Sequence, residues 1–150
     1  LVYQVTRTSL SIERLRHSLS ALIHKHKILR TRLFFTNDHA LQQEILDDIT
    51  PLLVTTTISS DDEMARILYD EETNPRLFDV SAGHVFRCHI LRPVSSPHDV
   101  IVFNFHHVAF DGASIEIFFR DLVQAYATDA PLAPCSLDYI DYAMHEKEMD

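Results

Sequence analysis

Two adjacent histidines, His106 and His107, end an apolar run in the stretch FNFHHVAFDG, and Asp111-Gly112 follows them. A neutral imidazole takes up and returns a proton near neutral pH, so it suits general acid–base catalysis. A glycine that opens a helix allows close approach to the backbone, and a helix N-terminus stabilises developing negative charge. The spacing therefore indicates an acid–base site. Two ordinary strand-end histidines, each satisfied by backbone partners, remain the alternative.

The alternation of side chains along the preceding strand separates the two rings. Phe103 and Phe105 share one face with His107, whereas Asn104 shares the other face with His106. The rings are thus expected to point in opposite directions. One of them is expected to support the architecture and the other to face a cavity.

Three rival chemistries are poorly supported by the sequence. His106, His107 and Asp111 are an incomplete metal-ligand set, because an adjacent pair with opposed side chains chelates poorly and no HExxH pattern or paired cysteines accompany it. The sequence contains no GxSxG elbow, the motif that would indicate a serine nucleophile. Gly83 and Gly112 are the only glycines, so no glycine-rich phosphate loop is present. We predict neither a metal site nor a directly bound cofactor.

Composition limits the class of protein. A length of 150 residues with 46% hydrophobic residues suits one domain or one lobe of a larger domain. The net charge of −9 disfavours nucleic acid and anionic membranes as partners. Two cysteines without a framework indicate a reduced, cytoplasmic setting, and we find no signal peptide or membrane-spanning run. The first residue is Leu1 within a strand-like stretch, so we expect a piece cut from a longer chain.

Hydrophobic periodicity predicts a mixture of helices and strands. A first helix is expected over 11–29, with Ser11 as its N-cap, and a second over 61–73. A third helix should begin after Gly112, and a last one near residue 137. The predicted strands are LVYQV, a hairpin of TRLFFT and LQQEIL, and then LLVTTTI, HVFRCHILR and DVIVFNF. The order lacks a regular βα alternation, which favours an α+β or layered α/β fold.

At HHVAFDG the chain resembles the HHxxxDG signature of condensation domains of nonribosomal peptide synthetases, within the chloramphenicol acetyltransferase-like acyltransferases. HKHKILRTRLFF resembles the family's RHExLRTxF stretch, with Lys25 and Lys27 as departures. LFDVSAGHVFRCHILR is similar to FDLxxGPLxRxxLLR, with His84 in place of proline. APLAPCSLDYIDYAMHEKE is similar to LPPLxxxYxDYAxWxxxxL, with His145 at the tryptophan position. The helix before the second segment also matches, so the likeness covers nearly the whole chain.

The resemblance implies that residues 1–150 are the N-terminal lobe of a condensation domain. The implied fold is an α/β (α+β) sandwich, in which helices flank a mixed sheet. It also implies that the domain's first segment and C-terminal lobe are missing from this chain. Carrier proteins would deliver both substrates on phosphopantetheine arms through a channel between the lobes. An adenylation domain is expected in the same synthetase.

By position in the motif, His107 is the implied catalytic residue. In the family, an acceptor amine attacks a donor thioester, and the histidine either takes the amine proton or mainly holds the reacting groups. Positioning can supply a rate factor comparable to or larger than that of general-base help, so the sequence leaves both open. The backbone N–H of Gly112 is a candidate oxyanion contact.

The remaining motif residues are implied to be structural. Asp111 resembles the motif aspartate that pairs with an arginine to hold the loop. Arg30 is the preferred partner, with Arg32 and Lys25 as lesser candidates. His106 is expected to fix the shape of the loop.

Two other functions remain open on the sequence alone. One is an epimerisation domain or a stand-alone acyltransferase that shares the histidine core. The other is a truncated lobe that only folds or binds a carrier protein. A heterocyclising domain is disfavoured, because that group replaces the first histidine with aspartate and His106 is intact. The isolated segment is expected to have negligible condensation activity.

Overall fold

The computed structural model describes residues 1–47, 49–128 and 130–149, with side chains described at all of these except residues 9 and 147. The strands are β1 Val2–Thr6, β2 Thr31–Phe35, β3 Leu41–Ile45, β4 Leu52–Ile58, β5 Phe86–Pro93 and β6 His98–Phe105. The helices are α1 Ile12–Lys25, α2 Asp61–Thr73, α3 Ser114–Thr128 and α4 Tyr139–Met149. The predicted mixture of elements is confirmed.

Four of these strands form a mixed sheet in the order β1-β6-β5-β4. The pairs β1/β6 and β6/β5 are antiparallel, whereas β5 and β4 are parallel. Parallel neighbours need a crossover connection, and α2 provides it. Phe86 at the start of β5 lies opposite Phe105 at the end of β6. The histidine pair therefore leaves the sheet beside the first residues of β5.

The two faces of the sheet are covered by different helices. Ile101 and Phe103 of β6 pack in the main core with α1 and α3. Val102 packs on the opposite face, in a smaller cluster with α2. The alternation that the sequence predicts along β6 is thus confirmed as far as Phe105, and so is the expected sheet flanked by helices.

Local signals in the sequence set the ends of α1 and α2. The Ser11 hydroxyl accepts a hydrogen bond from the backbone N–H of Arg14 at the start of α1. The Ser60 hydroxyl accepts from the Glu63 N–H at 3.2 Å, and Glu63 Oε2 accepts from the Ser59 N–H at 2.8 Å. The first bond satisfies a backbone donor that the helix leaves unpaired, and the second holds the residue before the N-cap, so α2 starts at the predicted residue.

One prediction about secondary structure needs correction. The first helix ends at Lys25 instead of continuing to Leu29, and residues 27–30 form a 3-10 turn that still buries Leu29. The predicted hairpin of β2 and β3 is present, but it forms a separate two-stranded sheet. Across the described residues, no helix is long and apolar enough to span a membrane.

Candidate active site

His106 and His107 lie directly after the last strand residue, Phe105. The backbone N–H of His106 donates to the Val85 carbonyl at 2.8 Å, which prolongs the contact with the start of β5. A turn then begins, in which the Ala109 N–H donates to the His106 carbonyl at 3.0 Å. The pair thus lies where a buried strand becomes an exposed loop, as the sequence predicts.

The ring of His106 is held by contacts within and next to this loop. Its Nδ1 accepts a hydrogen bond from the Val108 N–H at 3.1 Å. The ring also packs edge-on against Phe78, with ring centroids 5.6 Å apart. Because the N–H of Val108 bonds to Nδ1, the proton of a neutral ring is on Nε2. These contacts support a role for His106 in shaping the loop.

His107 is exposed and borders a cavity of about 650 Å³. The wall of this cavity includes the end of α2 at Glu71, together with Asn104 and His106. Phe105, on the opposite face of β6 from Asn104, borders this cavity as well, so the opposed directions of the two histidine rings stay a prediction. The alternation of side chains applies within the strand, and the strand ends at Phe105.

Asp111 bonds to the first residue of α3. Its Oδ1 accepts from the Ser114 hydroxyl at 2.6 Å and from the Ser114 N–H at 2.9 Å. The hydrogen bond from the Ser114 hydroxyl, with help from backbone N–H groups, lowers the pKa of Asp111. Asp111 therefore remains ionised and fixes the connection between the histidine loop and α3.

The predicted ion pair between Asp111 and Arg30 is absent from the part of the chain that the structure describes. Arg30 is buried, and its Nη1 donates to the Leu46 carbonyl just after β3. Asp111 is exposed and is bonded to Ser114 instead. Asp111 thus bonds to the nearby Ser114 and not to the distant Arg30. Arg30 lies in the 3-10 turn before β2 and bonds to the end of the hairpin.

The two lesser candidates for pairing with Asp111 are also engaged elsewhere. Lys25 Nζ lies 2.7 Å from Asp121 Oδ2 on α3. Arg32 Nη2 lies 2.6 Å from Glu44 Oε2, its neighbour across the hairpin. The structure therefore pairs Asp111 with none of the three cations that the family resemblance suggested, Arg30, Arg32 and Lys25.

Gly112 lies in open space at the surface. A Cβ atom added there would meet no heavy atom within 4 Å. The protein's own packing in this region therefore does not require glycine. Its position after Asp111 keeps the backbone accessible to a molecule that approaches from outside.

A buried polar network lies beneath the His107 cavity. Glu71 Oε1 accepts from His89 Nδ1 at 2.7 Å and from Arg87 Nη2 at 2.9 Å. Asn104 Nδ2 donates to Glu71 Oε2 at 3.1 Å, and Thr56 Oγ1 lies 2.8 Å from His89 Nε2. The network ties α2 to three neighbouring strands of the sheet.

The charge of Glu71 is maintained by these partners. Burial opposes its ionisation, but the hydrogen bonds from His89 and Asn104 and the charge of Arg87 outweigh burial and lower its pKa. The motifs and periodicities of the sequence did not predict this network. A signal was available, since Glu71 follows Ile67 and Leu68 on the inner side of α2 at helical spacing, where a buried carboxylate needs partners.

Comparison with known proteins places this site in a family. The family model described as "Condensation domain" matches residues 2–150. The chain is 34% identical over 146 residues to phosphinothricin tripeptide synthetase PhsC of Streptomyces viridochromogenes. It is 32% identical over 143 residues to the hybrid PKS-NRPS synthetase pvhA of Talaromyces variabilis. These alignments cover 91% and 93% of the chain but only 13% and 4% of the two synthetases.

Solved structures agree with this result. The X-domain from teicoplanin biosynthesis superimposes with a TM-score of 0.79 and 29% identity, over 93% of this chain and 31% of that one. The condensation domain from the monacolin K polyketide synthase MokA superimposes with a TM-score of 0.80, over 98% of this chain and 32% of that one. Its 19% identity supports the fold alone. The fold is therefore that of the chloramphenicol acetyltransferase-like proteins. The chain belongs to the condensation-domain family, which confirms the resemblance that its motifs show.

Proposed function

We propose that this chain is the histidine-bearing N-terminal lobe of a condensation domain, and that the complete domain forms an amide bond between two carrier-bound substrates. The observation that carries the proposal is the position of His107, an exposed imidazole in the HHVAFDG motif that borders a cavity of about 650 Å³. Family membership and the multidomain synthetases among the relatives support it. A cytoplasmic location is part of the same proposal.

The proposed reaction joins an acceptor amine to a donor thioester. The amine nitrogen attacks the thioester carbonyl, a C–N bond forms and the C–S bond breaks. The amine proton is transferred to His107, and the donor carrier leaves as a thiol after protonation. General-base assistance of this kind contributes about 10²–10⁴ in rate. Holding the amine beside the carbonyl contributes a comparable factor, so His107 acts as base, as positioning group, or as both.

Two further residues have proposed roles in this reaction. The Gly112 N–H donates to the oxyanion that forms at the attacked carbonyl. His106 acts indirectly, since its contacts with Val108 and Phe78 keep the loop in the shape that presents His107.

The partners follow from the reaction. Each substrate arrives on the phosphopantetheine arm of a carrier protein, and the chain itself binds no cofactor in this proposal. The complementary C-terminal lobe closes the second wall of the channel, and an adenylation domain in the same synthetase loads the acceptor. Since the relatives that match are parts of large synthetases, these partners belong on neighbouring segments of a longer chain.

The proposal is tested in the complete synthetase with donor and acceptor carriers loaded. We expect the donor group to move onto the acceptor amine, so mass spectrometry of the acceptor carrier should show the sum of both groups. A His107→Gln variant keeps hydrogen-bonding capacity but cannot serve as a base. A large loss of rate in this variant assigns a base role, and near-normal turnover assigns a positioning role. Wild-type synthetase that forms no amide would refute the proposal.

A second function is favoured by one particular comparison. The X-domain in a solved complex with OxyB from teicoplanin biosynthesis matches this chain with a TM-score of 0.79 and 30% identity. A domain of this kind serves there as one half of an assembly with another protein. If the synthetase instead recruits a second protein and His107→Ala leaves recruitment and product formation unchanged, this docking function replaces the catalytic one.

A further inference from the structure

A second cavity, of about 750 Å³, lies at the C-terminal end of α1. Its walls come from the last turns of α1, from Asp47 and residues 49–51, and from residues between 131 and 138, just before α4. None of the described residues borders both this cavity and the His107 cavity. The two regions are therefore separate sites, and chemistry in the second cavity is independent of amide formation at His107.

A thiol, an imidazole and a carboxylate are aligned in this region. The Sγ of Cys135 lies 3.8 Å from His26 Nδ1. The opposite ring nitrogen, Nε2, lies 2.7 Å from Asp121 Oδ2. Because a carboxylate only accepts hydrogen bonds, Asp121 places a ring proton on Nε2 and leaves Nδ1 of a neutral ring as the acceptor that faces the thiol. This order of groups is the one that activates a sulfur nucleophile.

The surroundings hold the imidazole in place. The side chain of Asp121 is 1% exposed, and it also bonds to Lys25 at 2.7 Å and to Arg120 at 3.0 Å. Burial opposes the ionisation of Asp121, but its hydrogen bonds with Lys25, Arg120 and His26 outweigh burial and lower its pKa. His26 therefore remains oriented towards Cys135, which itself borders the cavity.

The other cysteine has none of these features. Cys88 is fully buried in β5, and burial raises its pKa to about 12. It therefore stays protonated and unreactive in the folded protein. Cys88 provides an internal control for the reactivity of Cys135.

An independent observation indicates what kind of molecule the cavity takes. Arg30 borders the cavity, is 8% exposed, and its Nε–H has no acceptor among the described residues. The two lysines of the wall are already paired, Lys25 with Asp121 and Lys27 with Asp138 at 2.5 Å. Asp47 also borders the cavity, and its negative charge partly offsets the positive charge of the wall. Arg30 forms no ion pair with the described residues, so its positive charge at the cavity wall is suited to a carboxylate of an incoming molecule.

We propose that Cys135 is a modification site that forms a mixed disulfide with a small disulfide carrying carboxylates. The Cys135 proton moves to His26, and the thiolate attacks one sulfur of the incoming disulfide. The new S–S bond forms as the disulfide of the reagent breaks, and the released thiolate takes up a proton. The exchange conserves electrons and needs no other oxidant.

The test uses glutathione disulfide as the anionic probe and cystamine as the cationic one. Each reaction is followed by intact mass and peptide mapping, on the folded protein and on the same protein in urea. We expect one adduct, on Cys135 and not on Cys88. For each probe, the rate at Cys135 in the folded protein is divided by its rate in urea. We expect this ratio to be about tenfold higher for glutathione disulfide than for cystamine, as one charged hydrogen bond would give. Equal ratios, or an adduct on Cys88 alone, would overturn the proposal.

Variants separate the imidazole from general accessibility. His26→Asn is expected to slow the reaction of Cys135 by about tenfold near neutral pH, because the thiol loses its base. Arg66→Gln, an exposed change on α2, serves as the control and should leave the rate unchanged. Melting curves show whether each variant is folded. A folded His26→Asn protein that reacts as fast as wild type would contradict the role of His26.

Discussion

His89 and His107 both lie close to the end of α2, and their environments differ in every respect that decides what an imidazole does. His89 is 8% exposed on its side chain, and both of its ring nitrogens have partners, Glu71 and Thr56. His107 is exposed, and its side chain forms no hydrogen bond with the part of the chain that is described. An imidazole with both nitrogens occupied stabilises a fold, whereas one that faces a cavity is available to a substrate.

The same contrast separates the two regions around these residues. The network of Glu71 and His89 spans α2 and the sheet, so its loss should cost folding free energy. The loop from His107 to Gly112 is anchored to the core by Phe110, whereas its exposed residues have only local partners, so changes at those exposed residues should affect chemistry more than stability. Substitutions in each region test this division, and those in the buried network should have the largest effect on stability.

Glu71→Ala should cause the largest loss. Removal of this carboxylate leaves Arg87 buried without its ionic partner, and breaking a buried pair costs about 3–5 kcal/mol. Urea denaturation followed by circular dichroism measures the effect. Glu72→Ala, an exposed change at the next position, is the matched control and should shift stability by less than about 0.5 kcal/mol. Equal effects for the two variants would show that the buried network does not stabilise the fold.

The pH dependence of stability should reveal the same carboxylate. The pKa of Glu71 is lower in the folded protein than its ordinary value of 4.5, so its ionised form stabilises the fold above that pH. This contribution is lost as pH falls through the lower folded pKa. Glu71→Gln should therefore be less stable than wild type at neutral pH, with a difference that narrows below about pH 4. A difference that stays constant between about pH 7 and pH 3 would contradict this ionic role.

Asp111→Ala should have a smaller effect. The loss of the hydrogen bonds to Ser114 weakens the start of α3 and should lower the melting temperature by about 2–4 °C. The pKa of Asp111 is also lowered, so the difference from wild type should shrink as pH falls below 3.8. Glu116→Ala, an exposed acidic residue in the first turn of α3, is the control. An Asp111→Ala protein with an unchanged melting temperature would count against this capping role.

Gly112→Ala should have the smallest effect on stability, within about 0.5 kcal/mol, because the added Cβ meets no neighbouring atom. The variant retains its backbone N–H. A clear loss of amide formation in the complete synthetase would therefore show that substrate approaches this backbone closely. Unfolding at a much lower urea concentration would instead show that Gly112 has a structural role that its open surroundings do not indicate.

Much of this arrangement could be predicted from sequence, because it depends on short-range patterns. The capping pair of Ser60 and Glu63 fixed the start of α2, and alternation along β6 identified its buried face. The HHVAFDG motif identified the family and points to the candidate site. The strand ends at Phe105, two residues before His107, so strand periodicity alone does not fix the direction of the His107 ring.

The contacts that sequence did not predict join residues far apart in the chain. Asn104 bonds to Glu71 across 33 positions, and His26 bonds to Asp121 across 95. No local pattern encodes such partners. The pairing of Asp111 with Arg30 was wrong for the same reason, because it relied on family resemblance for a long-range contact. A carboxylate on the inner side of an amphipathic helix was the one available sign of a buried network, at both Glu71 and Asp121.

The most direct test of the contrast between the two histidines measures amide formation and unfolding together in the complete synthetase. His107→Ala should lower single-turnover amide formation by about 10²–10⁴ and leave the unfolding transition unchanged. His89→Ala should do the reverse, with a lower unfolding midpoint and near-normal turnover at temperatures where the protein is folded. A His107→Ala protein that forms amide at the wild-type rate would contradict the catalytic role of His107.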